Sequence, residues 1–175
     1  MALKLLFQTG CSRRVVAHCE AVAALAVQIA VACENKGLSV DTKLVEIGAL
    51  LHDIGRSKTH GVDHVVIGAE ISRSLNMPEA VVSIIERHAG GGIAPDEAER
   101  LDWPAKCYIP NSLEEKIVTY ADKLIEGQRT VPVERTLRKL SKELGENHSS
   151  VVRVKNLHEE ISSLIGDLDA NSHVA

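Results

Sequence analysis

Three observations predict an all-α fold for this chain. Apolar residues recur three and four positions apart through most of its 175 residues, the spacing that lines one face of a helix. No stretch alternates apolar and polar residues as a half-buried strand does, and no internal repeat is visible. Aromatic residues make up 2% of a chain that is 45% apolar, so the core has to come from Leu, Ile, Val and Ala, a mix that favours closely packed helices. One core is expected at this length, which makes residues 1–175 a single domain with its centre at about 12–128.

The elements follow in order. Val15, Val16, Cys19, Val22, Ala23, Ala26, Ile29 and Ala30 keep helical spacing between an N-cap at Ser12 and a stop at Gly37, which predicts a long buried helix carrying His18. Asp41 caps a second helix whose Leu44, Ile47, Leu50 and Leu51 face the core until Gly55 ends it, so His52 and Asp53 fall in its last turn. A helix after Asp63 runs through Leu75 and breaks at Asn76-Met77-Pro78; Pro78 then starts another that reaches about His88 and stops at Gly90-Gly91-Gly92.

The polar, proline-bearing stretch from Ile93 to Asn111 reads as a loop with a short helix at Pro95 to Leu101, and is the segment best suited to be a lid. Ser112 with Glu115 forms a capping box for a helix through Glu126 that carries Asp122. Two charged amphipathic helices, Pro132 to Leu144 and Ser149 to Ile165, are assigned to scaffold or to an oligomer contact, which leaves a homo-oligomer open. The tail DLDANSHVA is expected to fray.

Composition excludes some partners. A formal charge of -4 and the shortage of aromatics argue against a broad basic face or a stacking platform, so bulk nucleic acid is not expected. No apolar run is judged to reach the roughly 20 residues that span a bilayer, and MALKLLFQTGCSRR lacks a cleavable leader pattern, so neither membrane nor export is expected. Cys11, Cys19, Cys33 and Cys107 form no CxxC pair, which suits a reducing, cytoplasmic setting.

The chemistry concentrates in GALLHDIGRSKTHGVDHVVIGAE, which holds three of the eight histidines and an adjacent aspartate. Neighbours on a helix point about 100° apart, but a turn loosened by Gly55 can bring His52 and Asp53 toward one point. An isolated His-Asp pair is more often a surface turn with a stray salt bridge. Here, however, His18 and Asp122 also sit at apparently buried helical positions, and a buried carboxylate without a partner is costly by several kcal/mol unless a cation offsets it.

His18, then His52-Asp53 within LLHDIGR, then Asp122 within YADKL, resembles the H…HD…D signature of the HD-domain superfamily of metal-dependent phosphohydrolases. The resemblance covers roughly Ser12 to Gln128. It implies a helical bundle with a central metal site held by His18, His52, Asp53 and Asp122. His64 in HVVIGAEI resembles the HxxxG element of dinuclear members, and His88 in ERHAGG lies where those members place another ligand; otherwise His88 reads as a histidine at a helix C-terminus. The pattern implies Asp53 as a bridge between one metal on His18, His52 and Asp122 and another on His64 and His88.

Two departures stand out. Arg56 replaces the lysine that many members carry after HDIG, which retains a charge suited to phosphate, and the elements of the HD-GYP branch are absent, which speaks against cyclic di-GMP hydrolysis. His60 reads either as a general acid or substrate contact or as an exposed loop residue, and Lys123 adds charge beside Asp122.

The resemblance implies hydrolysis of a small phosphoester, a nucleotide or related monoester or diester, by metal-activated water, with Asp53, Arg56, Lys123 and His60 as candidate catalytic groups. The cofactor is one or two divalent cations per chain from Mn, Fe, Co, Ni or Zn, with Mg also admissible. Two alternatives stand beside it: a diiron oxygenase of the myo-inositol oxygenase type, and a non-catalytic metal-binding regulatory module.

Overall fold

The computed structural model describes residues 2–166, so the tail from 167 to 175 lies outside the described residues. Nine helices and one minimal hairpin are described: α1 Ala2–Thr9, α2 Arg13–Asn35, α3 Thr42–Leu51, α4 His64–Ser74, α5 Glu79–Arg87, α6 Pro95–Arg100, α7 Leu113–Lys123, the two-residue strands β1 Ile125–Glu126 and β2 Arg129–Thr130, α8 Val133–Leu144 and α9 Ser149–Ile165. The all-α expectation holds.

The caps fall where the side chains demand. Ser12 accepts the Val15 N–H, Asp41 accepts the Leu44 N–H at 2.9 Å, and Ser112 and Glu115 exchange reciprocal bonds at the start of α7. α2 is the central helix, packed between α3 and α7, and its Val22, Ala26, Ile29 and Cys33 join residues of α3, α7 and α9 in the main core. Val154, Leu157 and Ile161 of α9 are buried in that core, so α9 is part of the scaffold, whereas α8 buries only Val133.

Several expectations are corrected. α1 was not foreseen; it places Leu6 against Leu51 and Ile54 and ends at Gly10, where the Cys11 N–H returns to the Leu6 carbonyl. α2 is long and apolar enough, by length and composition, to cross a membrane, contrary to the reading that no segment approaches that length; in this fold its apolar residues pack against other helices. α7 ends at Lys123 rather than Glu126, because the chain turns into the β1–β2 hairpin, with Ile125 opposite Thr130 and Glu126 opposite Arg129.

α3 likewise stops at Leu51. His52 is its C-cap, and a 3-10 turn, Ile54–Ser57, follows Asp53. That turn lies hard against the first turn of α4. A Cβ on Gly55 would overlap the His64 carbonyl oxygen and come within 2.7 Å of the Gly68 N. Only a residue without a side chain permits this approach, and it sets the spacing between Asp53 and His64.

Residues 93–111 are fastened rather than free. Ile93 and Tyr108 exchange backbone bonds at 3.3 and 3.0 Å, and Trp103 and Tyr108 pack with Val65 and Ala98 in a small cluster of their own. Glu97 of α6 is held by Arg153 of α9 at 2.8 Å.

Candidate metal centre

Six side chains from separate parts of the chain converge at the ends of α3, α4 and α5 and on the facing sides of α2 and α7. His52 caps α3, His64 opens α4, His88 caps α5, and Asp53 sits between α3 and the 3-10 turn. His18 comes from α2 and Asp122 from α7. His52, Asp53, His64 and His88 are buried, and His18 and Asp122 are largely so.

All four histidines are oriented alike. The Nδ1 of His52 lies 2.7 Å from the Ala49 carbonyl, that of His64 2.7 Å from Gly61, and that of His88 2.8 Å from Ile85. Each acceptor is three residues back, a carbonyl available because each histidine stands at a helix end. His18 is inside a helix, where the corresponding carbonyl serves the helix itself, and its Nδ1 reaches the Gly127 carbonyl in the hairpin turn at 2.9 Å. A carbonyl oxygen only accepts, so every Nδ1 carries a proton, and in the neutral ring every Nε2 presents a lone pair.

Those lone pairs point at one another and at carboxylates. His64 Nε2 is 3.1 Å from His88 Nε2 and 3.2 Å from Asp53 Oδ1, and His88 Nε2 is 3.6 Å from the same oxygen. His18 Nε2 is 3.0 Å and His52 Nε2 3.6 Å from Asp122 Oδ1, and His52 Nε2 lies 3.8 Å from Asp53 Oδ2. His52 Nε2 and Asp53 Oδ1 are buried without a hydrogen-bond partner. Buried acceptors facing acceptors are satisfied by a shared metal cation or by a proton on Nε2.

The donor set fits a metal ion. Ligand atoms about 2.1 Å from one cation stand about 3.0–3.4 Å apart, close to the separations found here. Two groups have donor atoms within 4.8 Å of one another, His18 with His52 and Asp122, and His52 with Asp53 and His88. A carbonyl behind each imidazole fixes ring and tautomer, as in metal sites generally.

Electrostatics agree. Burial opposes ionisation of Asp53, but His52, His64 and His88 hold its carboxyl well below the usual range. Burial likewise opposes ionisation of Asp122, and Lys123 with His18 and His52 overcomes it. Burial works against a charge on His52, yet Asp53 and its other neighbours raise its pKa, so the two carboxylates draw positive charge toward His52 Nε2. Burial lowers His88 to about 4 and keeps it neutral, as a ligand must be.

The structure therefore brings together His18, His52, Asp53, His64, His88 and Asp122. Arg56 Nε donates to Asp53 Oδ2 at 2.7 Å, and Lys123 Nζ donates to Asp122 Oδ2 at 2.6 Å. His60 stands apart: its side chain is exposed, and only its carbonyl reaches the site, accepting from Arg56 Nη1 at 3.2 Å. Sequence reasoning missed Gly127, whose carbonyl orients His18; the Gly-Gln pair between two short extended pieces is the hairpin signal that would have found it. It also missed Trp103, whose Nε1 donates to Asp63 Oδ1 at 2.8 Å and ties residues 93–111 to the start of α4.

Fold and site define an all-helical protein with a buried histidine–carboxylate centre able to hold a metal cation. The HD domain family profile matches residues 15–127, and the chain belongs to that family. It is similar to the protein MJ0778 of Methanocaldococcus jannaschii, 50% identical over 155 residues that cover 89% of this chain and 92% of that one. It is 42% identical over 157 residues to the tRNA (cytidine(56)-2'-O)-methyltransferase of Picrophilus torridus, covering 89% of this chain but 44% of that protein, so the chain spans less than half of that relative. Its fold resembles the HD domain of the phosphodiesterase PgpH from L. monocytogenes, in complex with cyclic-di-AMP, with a TM-score of 0.58 and 19% identity over 99% of this chain and 98% of that domain.

Proposed function

We propose that this chain is a metal-dependent phosphohydrolase acting on a small phosphoester of the nucleotide type, with His18, His52, Asp53, His64, His88 and Asp122 as ligands. The observation that carries the reading is the uniform orientation of four imidazoles, whose Nε2 atoms converge on two carboxylates, with His52 Nε2 and Asp53 Oδ1 buried and without a hydrogen-bond partner. A divalent cation held there supplies Lewis acidity, polarising a phosphoryl oxygen and lowering the pKa of water.

The protein's own groups do the positioning. The backbone carbonyls at Ala49, Gly61, Ile85 and Gly127 fix the imidazoles, so no reorganisation is needed when charge develops. Arg56 and Lys123 place one positive charge at each end of the ligand set, where the oxygens of a phosphoryl group would be neutralised. The PgpH domain, whose fold this chain shares, is described in complex with a cyclic dinucleotide, which supports a nucleotide-type substrate here.

Elemental analysis of protein purified without added metal or chelator, joined to a screen of phosphomonoesters, phosphodiesters, cyclic dinucleotides and a short oligoribonucleotide, tests the reading. The oligoribonucleotide belongs in the panel because one relative is named for a tRNA-modifying activity. The expected result is at least about one equivalent of a transition metal and turnover of one phosphoester class, both lost in His52→Ala, since His52 belongs to both ligand groups. A fully loaded protein that hydrolyses nothing in the panel, or a His52→Ala variant that keeps its metal and its turnover, refutes it. Iron with oxygen-dependent turnover would favour the diiron oxygenase instead.

A further inference from the structure

We infer that Arg56 occupies the place of a cation at the Asp53 end of the centre and has to leave before a metal ion is bound by Asp53, His64 and His88, so that Arg56 sets how many metal ions the chain holds. This rests on the metal-centre reading above and concerns its stoichiometry.

Arg56 reaches one of the atoms that a cation at this end needs, His64 Nε2. Its Nε donates to Asp53 Oδ2 at 2.7 Å, the oxygen on the His52 side, which anchors the guanidinium beside the His64 and His88 end, where Oδ1 faces both imidazoles. Its Nη2 stands 3.5 Å from His64 Nε2. Because His64 Nδ1 donates to Gly61, that Nε2 offers a single lone pair, and a guanidinium N–H turned toward it competes for the electrons a metal would take. Nη1 is fastened to the His60 carbonyl, so the fork is braced in this position on three sides.

The other end is arranged differently. Lys123 takes only the outer oxygen of Asp122, and Oδ1 faces His18 and His52. No arginine or lysine is found against the Nε2 of either histidine among the described residues. The Nε2 atoms of His18 and His52 are therefore open to a cation, and that of His64 is guarded.

Charge balance leads to the same result. With neutral imidazoles, the two carboxylates are already matched by Arg56 and Lys123, so two divalent ions would add four positive charges to a neutral set. A second ion is favoured only if a resident cation withdraws. Arg56 is the one nearer to solvent: its side chain is 29% exposed, against 14% for Lys123, and it stands on the short 3-10 turn rather than on a helix. Its ligand partners, at 6% and 5%, are fixed.

The test is a calorimetric Mn2+ titration of the full chain after metal removal, comparing wild type with Arg56→Gln and Arg56→Lys. Wild type is expected to bind one equivalent tightly and a second more weakly. In Arg56→Gln the second equivalent should tighten at least about tenfold while the first changes little, because removing a nearby like charge favours the bound cation.

Arg56→Lys should fall between, since an ammonium keeps the charge but cannot bridge Asp53 and His64 at once. Circular dichroism of the metal-free proteins checks folding, and if Arg56→Gln does not fold, Arg56→Lys decides, with a several-fold tightening expected. Two equally tight equivalents in wild type, or a second equivalent unchanged or weakened in the variants, overturns the inference while leaving the metal centre standing. Failure of wild type to bind Mn2+ at all overturns both.

Discussion

Gly55→Ala is a demanding perturbation of this fold, because the methyl group would have to occupy space held by backbone. Built on Gly55, a Cβ lies 2.7 Å from the Gly68 N and 2.8 Å from the His64 carbonyl carbon, and overlaps the His64 oxygen. Ordinary contacts between such atoms begin near 3.4 Å, so the 3-10 turn and α4 must separate by about 1 Å. The α4 side cannot yield locally, since the His64 carbonyl and the Gly68 N are backbone atoms one turn apart in that helix. Overpacking in a tight interior costs about 1–3 kcal/mol, and a clash with backbone belongs at the upper end.

For a domain of this size, about 3 kcal/mol lowers Tm by roughly 6–12 °C. The same displacement pulls Asp53 from His64, now 3.2 Å apart, so binding at that end of the site should fall as well. The assay is a thermal melt of metal-free protein followed by a metal titration. Gly61→Ala is the control, because its Cβ would meet nothing closer than the Thr59 hydroxyl at 3.5 Å, and its Tm should stay within about 2 °C of wild type. A Gly55→Ala protein that melts with wild type and binds metal equally well would refute the claim that this close approach sets the ligand spacing.

Three further outcomes are expected. Burial opposes ionisation of Glu97, but the Ala94 N–H, Ser149 and Arg153 outweigh it and hold the pKa at about 2 against an ordinary 4.5. A depressed carboxyl stabilises the fold above its unfolded pKa, so the margin of wild type over Glu97→Gln, at most about 3 kcal/mol, should be full above about pH 5 and vanish as pH falls toward about 2; denaturant melts across that range measure it. Trp103→Phe keeps a six-membered aromatic ring but loses the 2.8 Å bond to Asp63 and part of the buried indole, which should cost about 2–3 kcal/mol, or a Tm drop of roughly 4–12 °C by circular dichroism. Chelation of a metal-loaded sample should lower Tm by about 5–10 °C and re-addition should restore it, since an ion at 100 times its Kd contributes about 2.7 kcal/mol; an unchanged Tm would count against a bound ion.

Much of the helical frame was readable because helix boundaries are local. Ser12, Asp41 and the Ser112–Glu115 box each satisfy N–H groups within three residues, so their sequence spacing is also their geometry. α1 escaped notice because eight residues with one buried side chain leave little periodicity to read. The hairpin escaped because strands of two residues cannot show alternation. The long helix α2 was taken as too short an apolar run for a bilayer, although its length and composition suffice, and what distinguishes its residues here is what they pack against.

The candidate ligands His18, His52, Asp53, His64, His88 and Asp122 were nameable from chain order alone, because polar groups on apolar helical stretches ask for a partner and the spacing resembled a known signature. Their common orientation was not. Three imidazoles find a carbonyl three residues back, but the fourth, on His18, depends on Gly127, 109 residues away, and no local rule joins the two. Arg56 was read as a free phosphate contact, and only the approach of the 3-10 turn to α4 through Gly55 brings its guanidinium onto Asp53 and His64. The sequence by itself thus determined the helices and the chemical types available to the site, since both follow from interactions between residues close in the chain. The tertiary structure decided which lone pairs face each other and which are already engaged, since hydrogen-bond direction depends on the relative placement of helices that only packing can set.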